Sequence, residues 1–291
     1  MSATETTERP DTGAPNSETP KSETPKSETP MSDKMLARKE GKVGTMIFNN
    51  PARHNAVSLE MWDSVRRILD DFAADPEITV VVITGAGGKA FVSGADISKF
   101  GDERSNMEAV AHYNTLVERA YTRLAEFPKP TIAMIRGYCI GGGLGLAISC
   151  DLRICSDNSR FALPAAKLSL GYGYTGLKRF IDLVGPGFTK EIFYTARQFS
   201  AAEAREMGLV NRVVPEAELE TYVQDYANTI AGNAPLTLKA VKIIANEVLK
   251  EESKRDLARC TAAVQACFES QDYIEGRDAF LQKRKPVFKG R

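Results

Sequence analysis

The stretch GYCIGGGLGLAISC, residues 137–150, places three consecutive glycines directly before an apolar segment of helical character. Glycine lets a ligand approach the backbone closely, and the first N–H groups of a helix have no intrahelical acceptor. Such a turn attracts negative charge and forms an oxyanion hole when the charge develops during a reaction. Tight packing of the chain is the alternative reason for the glycines. A dinucleotide fingerprint is excluded because Leu146 stands where its last glycine would be, and no GK[ST] phosphate loop occurs.

A second turn, SGAD, lies within FVSGADISKF at residues 91–100 and follows a strand predicted at 78–85. This turn can direct the backbone N–H of Ala95 toward the same pocket as the glycine turn. Two N–H donors from separate loops would then share one oxygen atom, which is the arrangement that stabilises an oxyanion.

Other polar residues are weaker candidates for chemistry. We expect His54 to contact a nucleotide end or solvent, and His112 to lie in the middle of a helix without a catalytic role. Asp96 and Asp151 are expected to serve turns and helix caps. Lys167 is expected at the surface or facing a phosphate.

The two turns are embedded in alternating strand and helix patterns. The pattern predicts strands at 43–49, 78–85, 130–137, 151–156, 161–164 and 211–215, and helices at 58–76 and 105–127. This alternation favours an α/β protein with a mostly parallel sheet. After residue 215 only helices are predicted, at 216–232, 235–251, 253–269 and 273–284. A helical part without its own sheet must pack on the main body or on a neighbouring subunit.

The composition argues against nucleic acid, a membrane or a metal ion as a binding partner. Lys+Arg and Asp+Glu each number 38 in 291 residues, so no basic field suggests nucleic acid or a membrane surface. The apolar stretch 131–150 contains Arg136 and five glycines, which argues against a membrane span. Five scattered cysteines without a CxxC pair, and only two histidines, make a metal site unexpected. Such cysteines are typical of reduced core residues, and we expect a cytoplasmic protein.

The N-terminal residues 1–34 differ from the rest of the chain, because NSETP, KSETP and KSETP repeat there with a period of five. Ser, Thr, Glu, Lys and Pro cannot bury enough apolar area to offset the entropy of ordering. We therefore predict a disordered tail over 1–34, with the folded part beginning near Lys34.

Several motifs together resemble the enoyl-CoA hydratase/isomerase (crotonase) family. They are NPARHNAVS at 50–58, FVSGADI at 91–97, the glycine turn, FALPAAKLSLG at 161–171, the segment 199–215, and AFLQKRKPVF at 279–288. The resemblance covers roughly residues 36–291. It implies a crotonase-like spiral of ββα units over 35–230 and a helical trimerisation region over 231–291. It also implies a homotrimer or homohexamer acting on a coenzyme A thioester, with no cofactor beyond the coenzyme A moiety.

The resemblance implies roles for individual residues as well. In the family, two backbone N–H groups hold the thioester oxygen, and their positions here are Ala95 and Gly142. The positions implied at the coenzyme A end are Arg53 for a phosphate, the backbone around Ala56 and Ile97, and Phe280 and Lys283. The last two would reach the coenzyme A of the same or an adjacent subunit.

The sequence departs from the hydratases of this family at both of their catalytic glutamates. The GGGxE motif has Gly145 in place of its glutamate, and Ala165 follows the proline of the second motif. Hydration needs water activated at one carbon and a proton delivered to the other, which neither residue can do. Tyr172 falls where decarboxylases of the superfamily place an active-site tyrosine, and Tyr174 is a second candidate.

Three functions stay open at this point. The chain is expected to be an enzyme that transforms an acyl-CoA thioester through a stabilised oxyanion or enolate. A second hypothesis is a decarboxylase, or a carbon–carbon bond lyase or cyclase, that uses Tyr172 or bound bicarbonate. The third is a catalytically silent protein that binds acyl-CoA.

Overall fold

The computed structural model describes Met1, residues 27–96 and residues 105–291, and for residues 27–32 it describes the backbone alone. The strands of these segments form two sheets. The predicted site residue Ile97 lies outside the described residues, as does most of the predicted tail, residues 2–26.

The larger sheet contains seven of the described strands. They are β1 Ser27–Ser32, β2 Met35–Glu40, β3 Val43–Phe48, β4 Val80–Gly85, β6 Thr131–Ile135, β8 Leu152–Ser156 and β11 Arg212–Val214. Their order across the sheet is β1-β2-β3-β4-β6-β8-β11. The first three strands pair antiparallel, and the pairing from β3 to β11 is parallel throughout.

The smaller sheet is built from short strands that lie between those of the larger one in the chain. They are β5 Ala90–Val92, β7 Tyr138–Ile140, β9 Arg160–Ala162 and β10 Phe199–Ser200, in the order β10-β9-β7-β5. Each successive pair, β4–β5, β6–β7 and β8–β9, gives one strand to each sheet. The pairs advance in parallel from one turn of the chain to the next. The predicted α/β spiral of ββα units is thereby confirmed.

The helices flank the two sheets and then continue alone to the C-terminus. They are α1 Leu59–Ala74, α2 Met107–Ala125, α3 Gly142–Ile148, α4 Tyr174–Thr195, α5 Ala201–Glu206, α6 Leu219–Ala231, α7 Pro235–Val248, α8 Leu257–Phe268 and α9 Gln271–Leu281. Local chemistry fixes several starts: Asn106, Asp256 and Ser270 each accept a hydrogen bond from a backbone N–H three residues ahead. The predicted helices after residue 215 are confirmed as α6–α9.

The larger sheet is covered on both faces. On one face, Val81 and Ile83 belong to the main core, which includes Trp62 and Phe72 of α1. On the other face, Val80 and Val82 pack in a second core with residues of α6. Burial on both faces explains why the β4 segment is a continuous apolar run rather than an alternating one.

One strand lies within the range predicted as a tail. The strand β1 begins at Ser27 and pairs antiparallel with β2 at the edge of the larger sheet. An edge strand is held by one row of backbone hydrogen bonds, so its formation does not require the apolar side chains on which the prediction relied. Pro30 is compatible with this position because proline is tolerated on edge strands.

Candidate active site

The structure brings the two predicted donor loops together. β5 and β7 are parallel neighbours, so the chain leaves both strands at the same edge of the smaller sheet. Gly94 and Gly141, with φ of 109° and 55°, turn the chain in the two loops. A methyl group placed on Gly142 would lie 3.9 Å from the backbone nitrogen of Ala95. The two residues predicted to share an oxygen are therefore adjacent.

The hydrogen bonds around these loops leave both N–H groups available. Val57 donates to the carbonyl of Gly94 at 2.9 Å and accepts from the N–H of Asp96 at 3.1 Å. This parallel bridge pairs Val57 with Ala95 and turns the Ala95 N–H to the opposite side. Gly142 is the first residue of α3, so its N–H has no acceptor within the helix. Within residues 27–96 and 105–291, neither N–H donates a hydrogen bond.

The glycines of the turn serve different purposes. A methyl group on Gly143 would approach the carbonyl oxygen of Val92 to 2.1 Å, so packing alone requires glycine there. The methyl group on Gly142 would meet its nearest neighbour, the Trp62 ring, at 3.4 Å, which is an ordinary contact. Packing therefore explains Gly143 and does not explain Gly142.

An aromatic cluster that no sequence motif indicated lies beside the two loops. The hydroxyl of Tyr121, on α2, donates to the carbonyl oxygen of Gly142 at 2.8 Å. Its ring packs edge to face with Trp62 of α1, with 5.5 Å between the ring centroids. Trp62 Nε1 donates to the hydroxyl of Tyr113, two helical turns earlier on α2, at 3.3 Å. The helix predicted at 105–127 thus presents aromatic residues at helical spacing to the site.

Gly145 lies directly under the ring of Tyr121. A methyl group on Gly145 would come within 2.7 Å of the Tyr121 hydroxyl oxygen and 2.8 Å of the ring carbon that bears it. The resemblance assigned Gly145 to the position of the first family glutamate, and the space for a side chain at Gly145 is filled by a phenol from another helix. Ala165, at the second position, is buried in the short helix Pro164–Leu168.

An ion pair between α2 and α4 lies next to the Tyr121 ring of this aromatic cluster. Arg179 on α4 binds Glu118 on α2 in a bidentate pair, with N–O distances of 3.0 and 2.5 Å. The guanidinium also lies 5.8 Å from the centroid of the Tyr121 ring. Arg179 and Glu118 were not identified from the sequence.

Burial, aided by the nearby phenols of Tyr172 and Tyr113, raises the pKa of Tyr121 well above its ordinary value. Tyr121 therefore remains a neutral hydrogen-bond donor at physiological pH. The ring of Tyr172 packs edge to face against Phe193, with 5.0 Å between the ring centroids, and the residue is 37% exposed. Tyr174 is 76% exposed, at the start of α4.

The predicted coenzyme A loop is held rigidly from within. Asn55 is fully buried, and its amide nitrogen donates to carbonyls of Ala86 and Ala90 at 3.0 and 2.8 Å. Ala56 donates its N–H to Arg53 O at 3.0 Å and accepts from the Asn50 side chain at 3.1 Å. The Arg53 side chain is 61% exposed and lies 4.0 Å from Asp96. A cation at this loop is therefore available to an anionic ligand.

The remaining predicted coenzyme A residues lie at the end of α9. Phe280 is 84% exposed, and Lys283 follows the helix with a φ of 53°. α9 is fixed from the C-terminal side, where the buried carboxylate of Asp272 accepts from the N–H groups of Lys289 and Gly290 at 2.7 Å each. The structure of the single chain thus leaves Phe280 facing outward.

The weaker candidates stand as follows. Asp151 accepts from the backbone and side chain of Thr131 and from Lys242, at 2.8–2.9 Å, and so joins α7 to the sheet. His54, His112 and Lys167 are exposed. The described part of the chain contains no cluster of three metal-ligating His, Cys, Asp or Glu residues. It also contains no helix that is long and apolar enough to cross a bilayer.

Comparison with known proteins decides the family. The family model for enoyl-CoA hydratase/isomerase matches residues 38–291. The chain belongs to this family. A short-chain-enoyl-CoA hydratase of Clostridium acetobutylicum is 36% identical over 253 residues, which cover 87% of this chain and 96% of that enzyme.

Further relatives extend the enoyl-CoA hydratase/isomerase assignment. The carnitinyl-CoA dehydratase of Escherichia coli K12 is 33% identical over 257 residues, covering 87% of this chain and 97% of that enzyme. The crystal structure of an enoyl-CoA hydratase/carnithine racemase from Magnetospirillum magneticum superposes with a TM-score of 0.84 at 34% identity. The superposed residues cover 91% of this chain and 97% of the Magnetospirillum chain. The family resemblance and the crotonase-like fold inferred from the motifs are confirmed.

Proposed function

We propose that the protein is an enzyme that transforms an acyl-CoA thioester by holding the thioester oxygen between the N–H groups of Ala95 and Gly142. The adjacency of these two residues carries the proposal, because a methyl group on one would lie 3.9 Å from the nitrogen of the other. Two such donors stabilise the charge of an enolate or tetrahedral oxyanion. The relatives named as hydratases and dehydratases of CoA thioesters support the substrate class.

The reaction that we propose is not a glutamate-dependent addition of water. Gly145 and Ala165 occupy the positions matching the family glutamates, and the Tyr121 ring covers the first of them. A stabilised enolate also serves decarboxylation, carbon–carbon bond cleavage and ring closure. Tyr172 would orient a carboxylate or deliver the proton in such a reaction; alternatively, bound bicarbonate would supply the missing acid/base group.

The coenzyme A end of the proposed site uses Arg53 and the backbone at Ala56 and Ile97. Phe280 and Lys283 complete it from the same or an adjacent subunit of a homotrimer or homohexamer. The exposure of Phe280 in the single chain supports a contribution to a neighbouring surface. We propose no cofactor other than the coenzyme A carried by the substrate, and a cytoplasmic location.

The experiment that tests this function compares purified protein on two sets of thioesters. Crotonyl-CoA reports on hydration, and a panel of carboxylated acyl-CoA thioesters reports on decarboxylation by release of carbon dioxide. We expect turnover within the second set, and its loss or strong reduction in Tyr172→Phe. Hydration of crotonyl-CoA at ordinary enzymatic rates would refute the proposed reaction. Tight binding of CoA thioesters without any turnover would favour the silent binding protein.

A further inference from the structure

The phenol of Tyr121 makes contacts that core packing alone does not demand. Its hydroxyl donates to the carbonyl oxygen of Gly142 at 2.8 Å, on the residue whose N–H is one of the two proposed donors. A methyl group added to Gly142 would lie 3.5 Å from this hydroxyl oxygen and 3.9 Å from the Ala95 nitrogen. The phenol therefore borders the same small space as the donor pair.

Gly142 is held from both sides along the chain. The carbonyl of Gly141, in the peptide unit that carries the Gly142 N–H, accepts from Leu144 and Gly145 at 3.0 and 3.1 Å. The carbonyl of Gly142 itself accepts from Tyr121. A glycine at the first position of a seven-residue helix has much conformational freedom, and these bonds remove it. The hydrogen bond from Tyr121 to the Gly142 carbonyl comes from outside α3.

The Tyr121 ring is itself held in place. Trp62 contacts it edge to face, and Arg179, fixed by its bidentate pair with Glu118, lies 5.8 Å from its centroid. Gly145 permits this position, because any side chain there would collide with the phenol at 2.7 Å. The absence of a side chain at 145 and the hydrogen bond to Gly142 are thus two aspects of one arrangement.

We infer that Tyr121 is a positioning residue of the oxyanion site: its hydroxyl fixes Gly142 so that the N–H of that residue meets the thioester oxygen. This inference rests on the proposed function of the Ala95–Gly142 pair. The raised pKa of Tyr121 keeps its phenol a neutral hydrogen-bond donor and makes it a poor proton donor for chemistry, which agrees with a positioning role.

The test measures the thioester carbonyl directly. The probe is butyryl-CoA carrying carbon-13 at the thioester carbonyl, a saturated thioester whose carbonyl stretching frequency falls when hydrogen bonds polarise it. We expect binding to wild-type protein to lower the frequency below its value in water. In Tyr121→Phe most of this lowering should be lost, while the Kd for butyryl-CoA changes by less than about tenfold.

Two variants make the test specific. Tyr113→Phe also removes one hydroxyl from a Trp62-contacting tyrosine on α2, but that hydroxyl is bonded to Trp62 Nε1 and not to Gly142. It should leave the frequency at the wild-type value. Gly145→Ala keeps the Tyr121 hydroxyl and displaces it, so it should reproduce the loss seen in Tyr121→Phe. It reports on the same hydrogen bond if Tyr121→Phe fails to fold.

The outcomes separate this inference from the proposed function. A lowered frequency in the wild type that persists in Tyr121→Phe overturns the positioning role and leaves the donor pair intact. A wild-type complex with no lowering overturns the donor pair, and the positioning role with it. A wild-type protein that binds no butyryl-CoA overturns the proposed ligand class.

Discussion

The glycine turn is enclosed by other parts of the same chain, whereas the C-terminal helices leave large apolar side chains exposed. Around the turn, a methyl group placed on Gly142 or Gly145 would lie within 2.7–3.9 Å of atoms of α1, α2 or the SGAD loop, and Tyr121 of α2 donates to the carbonyl of Gly142. In α8 and α9, large apolar side chains face outward, with Leu257 67%, Phe268 62% and Leu281 72% exposed. Exposed apolar surface of this extent marks an interaction site. The proposed oxyanion site is thus built within one subunit, whereas we propose that the exposed apolar face of the helical region contacts a second subunit.

The largest expected effect concerns the proposed oxyanion site. In Gly142→Ala the new methyl group makes only ordinary contacts of 3.4 Å or more, and alanine favours the helix, so thermal stability should match the wild type. The methyl group nevertheless stands beside the Ala95 nitrogen, where the thioester oxygen would bind. We expect kcat/KM to fall by about 100- to 1,000-fold on whichever thioester proves to be turned over.

The neighbouring glycine supplies the matched control. Gly143→Ala would press its methyl group against the Val92 carbonyl oxygen at 2.1 Å, so we expect a loss of stability above about 3 kcal/mol or failure to fold. Denaturant unfolding of both variants measures the difference. Full activity in Gly142→Ala, or a stable Gly143→Ala protein, would contradict the assignment of separate roles to these adjacent glycines.

The exposed apolar face of the C-terminal helices leads to a prediction about subunit assembly. Phe268→Asp puts a charge on the exposed face shared by α7 and α8, near Val264 and Ile244. If this face joins subunits, desolvating the carboxylate disfavours the contact, and the variant should sediment as a smaller species than the trimer or hexamer proposed for the wild type. Met107→Asp, at an 82% exposed residue at the start of α2, should sediment like the wild type. A monomeric wild-type protein would end this interpretation.

The same contrast explains what the sequence could predict. In the proposed site, Ala95 and Gly142 would act through backbone groups in glycine-bearing turns, and such turns leave a local signal in the sequence. The sequence also predicted β4 and α1 because each carries a long apolar pattern. By contrast, β5 and β7 have three residues each and lie beside glycines, where no alternation can be recognised.

Tyr121 was missed for a different reason. Its position on α2 follows a helical stripe that is equally typical of an ordinary core residue. Its role depends on how α2 packs against α3, which no local pattern encodes. One signal was available: Gly145 interrupts a helical segment at a cost of about 1 kcal/mol against alanine. That cost indicates that another group approaches closely, although not which group.

The smallest expected effect concerns how α9 is fastened. Arg284, at 2.6 and 2.8 Å, and the N–H of Val287, at 2.7 Å, lower the pKa of Glu275 to about 2. The carboxylate of an unfolded chain has a pKa of about 4.3. Because the folded value is the lower one, this interaction contributes fully above the unfolded value and is lost as the pH falls toward 2.

We therefore expect the hydrogen-exchange protection factor of the segment containing Val287 to decrease between pH 5 and pH 2.5, after correction for intrinsic exchange rates. Glu275→Gln should show low protection already at pH 5 and little further change. A wild-type protection factor that stays constant over this range would mean that Asp272, which binds Lys289 and Gly290, holds the C-terminal residues without help from Glu275. The orientation of Phe280 and Lys283 would then depend on the Asp272 contacts alone.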